Sequence, residues 1–208
     1  GYKLVGIDAS GLELRMLAHY MQDKEYTNEI INGDVHTANQ RLAGLESRNQ
    51  AKTFIYALLY GAGDEKLGSV AGGGRKAGKR LRKSFFDNLP TFTTLKDKVS
   101  RASTRGYLKG LDGRKLFVRS EHSALNTLLQ GAGAIVMKKA LVIFNEAIKD
   151  MDAHFVCNVH DEWQVEAKTD IAEEVGRLGV AAIVQAGDAY NLRCPLDGEF
   201  NVGNNWSE

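Results

Sequence analysis

Apolar and polar positions change period several times along the 208-residue chain, and each change marks an element. Residues 3–7 are short, apolar and β-branched, with weak alternation, which predicts a buried strand ending at Asp8. In 11–21 (GLELRMLAHYM), Leu14, Leu17, Ala18 and Met21 recur at helical spacing. A further helical stretch covers 26–45, and 48–61 (RNQAKTFIYALLYG) predicts a strong helix. Gly72-Gly73-Gly74 forms a tip, after which the basic run Arg75 to Lys83 reads as helical. Pro90 opens or breaks an element. The segment KGLDGRKLFVR at 109–119 predicts a hairpin turning at Asp112-Gly113. One long helix is expected over 121–149, where Ala132, Gly133 and Ala134 suit the close approach of a neighbour. Residues 153–167 (AHFVCNVHDEWQVEA) read as strand, tight turn, strand, with His160-Asp161 at the turn. A helix follows over 170–187, then short extended pieces to Trp206.

Composition adds little: 43% hydrophobic and 25% charged residues describe an ordinary globular chain. No apolar run approaches the roughly 18 residues of a membrane helix, so no membrane partner is expected. Cys157 and Cys194 are far apart and form no CxxC pair, which predicts buried free thiols in a reducing compartment rather than a disulfide or zinc site. Charge is more informative, because the net +1 conceals a sharp asymmetry. Residues 48–119 carry 17 basic and 5 acidic side chains, against 4 and 7 in 1–47 and 6 and 14 in 120–208. So basic a block is the footprint of a polyanion-binding surface, though a solvated basic face reads the same way. It lies between two acidic segments that both contain strands, which suggests a helical subdomain projecting from an α/β sheet.

Three constellations carry candidate chemistry. Asp8 ends one strand, and Asp161 and Glu162 sit at a turn between two others. Carboxylates brought together repel and call for divalent cations, and oxygen-only ligands suit magnesium. Two such ions about 4 Å apart clamp both oxygens of an in-line phosphoryl transfer. Each aspartate alone is more readily read as a cap or turn residue. Next, Arg48, Lys52, Tyr56 and Tyr60 recur every fourth residue, so each step advances roughly 40° and all lie on one stripe. Two cations followed by two aromatics match the order of phosphates, sugar and base in a nucleoside triphosphate. Finally, His122, Asn126 and Gln130 form another i, i+4, i+8 line, and such side chains can reach minor-groove acceptors; a plain solvated face is the alternative.

Taken together, these pieces resemble family A DNA polymerases. GIDASGLELR at 6–15 resembles their motif A, RNQAKTFIYALLYG at 48–61 motif B, and VHDE at 159–162 motif C, in the family's order. GDVHTANQ, YGAGDEK, KGLDGRK and ALNTLLQ look closer to the replicative enzymes of short-tailed lytic phages than to bacterial DNA polymerase I. The resemblance covers essentially the whole chain. It implies an α/β (α+β) fold: a right-hand palm with an antiparallel sheet flanked by helices, and mainly helical fingers. Palm is expected over 1–26 and 121–208, and fingers over 27–120.

The family then implies roles, residue by residue. Asp8 and Asp161 hold two magnesium ions with help from the Ala9 carbonyl, and Glu162 supports them. Glu13 occupies the steric-gate position that excludes a ribose 2′-hydroxyl. Arg48 and Lys52 contact the triphosphate, with Lys52 as the candidate general acid. His36 lies near the β-phosphate, Tyr56 packs near the sugar, and Tyr60 guards the templating pair. His122, Asn126 and Gln130 face the primer–template minor groove, and His160 lies by the primer terminus. The nucleophile is the primer 3′-hydroxyl, so the protein need supply none. Substrates would be primer–template DNA and deoxynucleoside triphosphates, in the cytoplasm of an infected host if the chain is phage-encoded.

The chain starts only a strand before motif A, so the thumb and exonuclease domains are expected to be absent. A partner polypeptide carrying them is then expected, docking on an exposed sheet edge. The alternatives are a DNA- or nucleotide-binding half that is inert alone, and a magnesium-dependent nuclease using the same carboxylates.

Overall fold

A computed structural model describes residues 1–206. By packing, the chain divides into two units, Gly1–Met16 with Gly131–Glu208, and Leu17–Gln130. The division falls within two helices, α1 (Leu12–Met21) and α8 (Ala124–Ile148), each of which runs from one unit into the other.

The first unit is built on a four-stranded antiparallel sheet. Its strands are β1 (Tyr2–Ala9), β4 (Ala153–Val159), β5 (Glu162–Lys168) and β6 (Gly198–Gly203), in the order β4-β5-β1-β6. β1 is therefore a central strand, hydrogen-bonded on both sides, and extends through Asp8 to Ala9. It alternates in burial more clearly than its apolar sequence suggests. Val5, Ile7 and Ala9 are in the core, while Leu4, Gly6 and Asp8 share the other face. Trp163, Val165 and Ala167 of β5 bury on the same side as Val5 and Ile7. Phe144 of α8 stacks on Trp163 at 5.4 Å between ring centroids and meets Phe155 edge-on at 5.3 Å. Helix α9 (Ala172–Ala189) closes this face, with Ile7 and Phe200 packed against its glycine positions 179 and 176.

α1 is not the amphipathic helix its spacing predicts. Met16, Arg15 and His19 are buried beside Leu14, Leu17, Ala18 and Met21. Arg15 is accommodated because its guanidinium donates to the Ser10 carbonyl at 2.8 Å and the Pro195 carbonyl at 2.5 Å.

The second unit is helical apart from one hairpin. The stretch expected as a single helix over 26–45 is two, α2 (Lys24–Ile31) and α3 (Val35–Ala43). The break comes at Asp34, whose carboxylate accepts from the His36 and Thr37 amides and so starts a new helix. α4 (Arg48–Leu59) opens with a reciprocal capping box between Ser47 and Gln50. α5 (Asp64–Ser69), α6 (Arg75–Asn88) and α7 (Pro90–Ser103) follow, with Pro90 at the first turn of α7. The hairpin is β2 (Tyr107–Lys109) with β3 (Lys115–Phe117). The core is an aromatic chain in which Phe54 meets Phe85 at 5.8 Å and Phe85 meets Phe92 at 5.3 Å, both edge-on. α6 buries Gly78, Leu81 and Phe85 and leaves Arg75, Lys76, Lys79, Arg80 and Lys83 exposed, so its basic run lines a solvated face.

Two expectations change. Glu121–Ile148 is long and apolar enough to cross a membrane by length and composition, contrary to the sequence reading. Half of its apolar window is buried within the protein, and a core helix passes the same test. Cys157 and Cys194 are free as expected, but only Cys194 is fully buried.

Gly61, just beyond α4, has a left-handed φ of 79°, and a Cβ there would lie 2.7 Å from the His122 carbonyl oxygen. Gly61→Ala is expected to destabilise the chain by about 2–3 kcal/mol, combining backbone strain with overpacking. Urea denaturation of the purified variant reads this directly.

Candidate active site

Antiparallel register decides which carboxylates meet. Asp8 pairs with Glu162 across β1 and β5, and with Glu199 across β1 and β6. Directly opposed residues share a face, so Glu162, Asp8 and Glu199 form one row on the sheet surface. The turn between β4 and β5 lies at the same end, where the Ala9 amide donates to the Asp161 carbonyl at 3.1 Å. Asp8, Ala9, Asp161 and Glu162 are thus assembled from two distant segments. His160, in that turn, takes a left-handed φ of 56°, unusual for a residue with a side chain.

Burial first, and then the neighbouring Asp161, Glu162 and Glu199 carboxylates, together push the Asp8 carboxyl up to about 6. Glu199 is a member of this cluster that sequence reasoning did not single out. Its only local signal is its place in the extended tail, and pairing with β1 gives it meaning. Among the described residues, no three or more His, Cys, Asp or Glu side chains are grouped to hold a metal ion by themselves. The donor set fits magnesium, which takes one or two carboxylates and fills its remaining positions with water and substrate phosphate. Zinc, with its preference for closed nitrogen and sulfur sets, does not match.

On α4 the predicted stripe is present. Arg48 and Lys52 are exposed, Tyr56 is half-buried and Tyr60 is 51% exposed, while Ala51, Phe54, Ile55 and Leu58 face the core. Tyr56 and Tyr60 stack at 6.4 Å between centroids, and His36 of α3 lies 6.2 Å from the Tyr56 ring. Desolvation lowers the His36 pKa, with Arg48 and Lys52 adding to the effect, so the imidazole is neutral at pH 7. Asp34, also unremarked in the sequence, joins α3 to α4: its carboxylate accepts from Arg48 Nε at 2.6 Å. That hydrogen bond holds the Asp34 pKa well below the usual carboxylate range and raises that of Arg48.

The remaining candidates are more scattered. Glu13 is half-buried in the first turn of α1. His122 lies in the 3₁₀ turn Glu121–Ser123 that leads directly into α8, on which Asn126 and Gln130 sit.

The whole chain, residues 1–208, matches the family model described as DNA polymerase family A. The chain belongs to DNA polymerase family A. Within the family it is similar to the DNA-directed DNA polymerases of Enterobacteria phage T3, 44% identical over 98% of this chain, and Escherichia phage T7, 44% identical over 97%. The thermostable DNA polymerase I of Thermus aquaticus is 30% identical over 99% of the chain. The phage relatives are longer: the chain spans 33% and 32% of their lengths. A solved structure, the POL domain of Pol1 from M. smegmatis in complex with DNA primer-template and dNTP, shares the fold. It superposes with a TM-score of 0.86 over 98% of this chain and 40% of that one, at 24% identity. The family A fold, an antiparallel sheet flanked by helices with a mainly helical second unit, is therefore the one observed.

The raised Asp8 pKa makes a prediction for this family A chain. The folded state holds the Asp8 proton more tightly than the unfolded state, whose pKa is near 3.8. The resulting penalty on folding is absent below about pH 4, grows as pH rises, and is complete above about pH 6. Asp8 keeps solvent access, so screening cuts the effect to on the order of 1 kcal/mol. Asp8→Asn is expected to stabilise the metal-free chain by that amount at pH 8 and by nothing at pH 4. Urea midpoints with chelator at the two pH values read the difference.

Proposed function

We propose that this chain is the polymerising part of a DNA polymerase, adding deoxynucleoside triphosphates to a primer 3′-hydroxyl under template direction. The observation that carries the reading is the convergence of Asp8 and Asp161 at one end of the sheet, with Asp8 held near a pKa of 6 by burial and its carboxylate neighbours. A group so crowded by like charge gains most from a divalent cation. Asp8 and Asp161, with the Ala9 carbonyl, would hold two magnesium ions. Bound there, the ions would activate the primer hydroxyl and neutralise charge on the transferred phosphoryl group. We read 1–26 and 121–208 as palm and 27–120 as fingers, close to the packing boundaries at Met16–Leu17 and Gln130–Gly131.

The chain's own side chains do the rest. Arg48 and Lys52 receive the triphosphate, and Lys52 donates the proton that the leaving pyrophosphate needs. Neutral His36 offers a hydrogen bond near the β-phosphate without adding charge. Tyr56 packs on the sugar, Tyr60 covers the templating pair, and Glu13 excludes a 2′-hydroxyl. Asn126, Gln130 and His122 contact the minor groove, and His160 the primer end. Asp34 orients Arg48 and shares its charge until phosphate arrives.

A second reading, a catalytic half that needs an upstream polypeptide, is favoured by one feature. Val142 and Val156 are 65% and 60% exposed, and they line an apolar groove of about 450 Å³ between α8 and the edge strand β4.

Single-nucleotide primer extension with magnesium separates the readings. Extension by the chain and none by Asp8→Ala is the expected result. No extension from a folded chain that still binds nucleotide would favour the half that is inert alone, and primer shortening would favour a nuclease. In an active chain or complex, Tyr56→Phe is expected to raise discrimination against dideoxynucleotides by a large factor. An unchanged ratio of dideoxy to deoxy incorporation would mean that Tyr56 does not face the sugar.

A further inference from the structure

On the solvent side of the sheet, Gly6, Gln164, Glu162 and Trp206 form a connected set that no motif predicts. Glu162 Oε1 accepts two hydrogen bonds, from Gln164 Nε2 at 2.5 Å and from the indole Nε1 of Trp206 at 2.8 Å. Gln164 is 4% exposed, an amide buried on a face otherwise rich in carboxylates. It fits because its cross-strand partner is Gly6: a Cβ there would lie 2.7 Å from Gln164 Nε2. Trp206 comes from the chain's C-terminal tail and is half exposed. With Asp8, Glu199 and Asn201 these residues line a small polar cavity of about 130 Å³.

Neutral donors on one oxygen of Glu162 do two things. They spread its charge, which lowers the cost of setting it opposite Asp8. They also restrain the carboxylate's rotation. From this geometry we propose that Gln164 and Trp206 are positioning residues, which act through Glu162 to hold the carboxylate cluster in its metal-binding arrangement. The C-terminal tail thereby becomes part of the active-site framework. The proposal rests on the reading of Asp8 and Asp161 as the magnesium-holding pair.

Residues that orient a metal site through hydrogen bonds typically set about 10–100-fold in metal affinity, and residues acting one carboxylate further out, through Glu162, belong at the low end. Trp206→Phe keeps the ring and removes only the N–H, and at so exposed a position about tenfold is expected. The probe is manganese alone, with free ion counted by electron paramagnetic resonance, for the full chain and its variants without DNA or turnover. Trp206→Phe should weaken manganese binding about tenfold, and Gln164→Met, which keeps the side-chain volume, should do the same. In a Glu162→Ala background Trp206→Phe should have no further effect, because the residue acts only through that carboxylate. An unchanged affinity in Trp206→Phe, or an equal loss in both backgrounds, overturns the proposal.

A second arm reads the hydrogen bond itself. The chain has two tryptophans, so a ¹⁵N-labelled sample shows two indole N–H signals. Trp163 Nε1 is buried with no hydrogen-bond partner among the described residues, whereas Trp206 Nε1 donates to a carboxylate. Glu162→Gln should move the Trp206 signal upfield, and a Trp206 signal that stays in place overturns the contact. A wild-type chain that binds no manganese would overturn the metal reading and with it the positioning role, while the indole signal would still decide the contact.

Discussion

Everything in the first unit depends on the antiparallel embrace of β1 by β5 and β6. Because β1 is central, each of its residues has a fixed partner on both sides, and the two faces of the sheet are set in one step. One face sends Val5, Ile7, Trp163 and Val165 into a dry core. The other lines up Glu162, Asp8 and Glu199. Opposed like charges cost up to about 1 kcal/mol per pair, whereas burying one large apolar side chain contributes about 1.5–3 kcal/mol. The core face therefore outweighs the charged face, and the fold can hold a carboxylate cluster in tension. Burial, and after it that crowding of like charge, raises the Asp8 carboxyl to about 6.

The second unit follows a different logic. Its aromatic chain through Phe54, Phe85 and Phe92 gathers the core faces of α4, α6 and α7. That leaves the opposite face of α4 free to present Arg48, Lys52, Tyr56 and Tyr60. Asp34 serves both local structure and this face, capping α3 through backbone amides and holding Arg48 through its other oxygen. One carboxylate thus ties a helix boundary to the orientation of Arg48. The two units carry opposite charge, basic in the helical unit and acidic in the sheet unit.

Much of this was legible in the sequence, for reasons that differ by scale. Elements with a strong local period were read closely: the helix at α4, the strand–turn–strand around His160-Asp161, and the hairpin at Asp112-Gly113. Readings failed where a long-range or side-chain effect overrode the period. α1 is buried on nearly every side because Arg15 finds carbonyls at Ser10 and at Pro195, far along the chain. The stretch at 26–45 divides because the Asp34 side chain competes for backbone amides.

By itself, the sequence determined the order and kind of the elements, the basic block between acidic flanks, and three motifs sufficient for family membership. These are properties of neighbours along the chain: side-chain period, capping and turn chemistry act within a few residues. Only the tertiary structure decided that Asp8 faces both Glu162 and Glu199, that Gln164 needs Gly6, and that Trp206 reaches back to Glu162. The contacts of Asp8 and Gly6 join residues separated by most of the chain, and they exist because β1 pairs with strands that follow it by more than a hundred positions; Trp206 reaches Glu162 across 44 residues. No local pattern encodes strand register across such a gap. Burial of one sheet face selects it, and the chemistry of the other face follows.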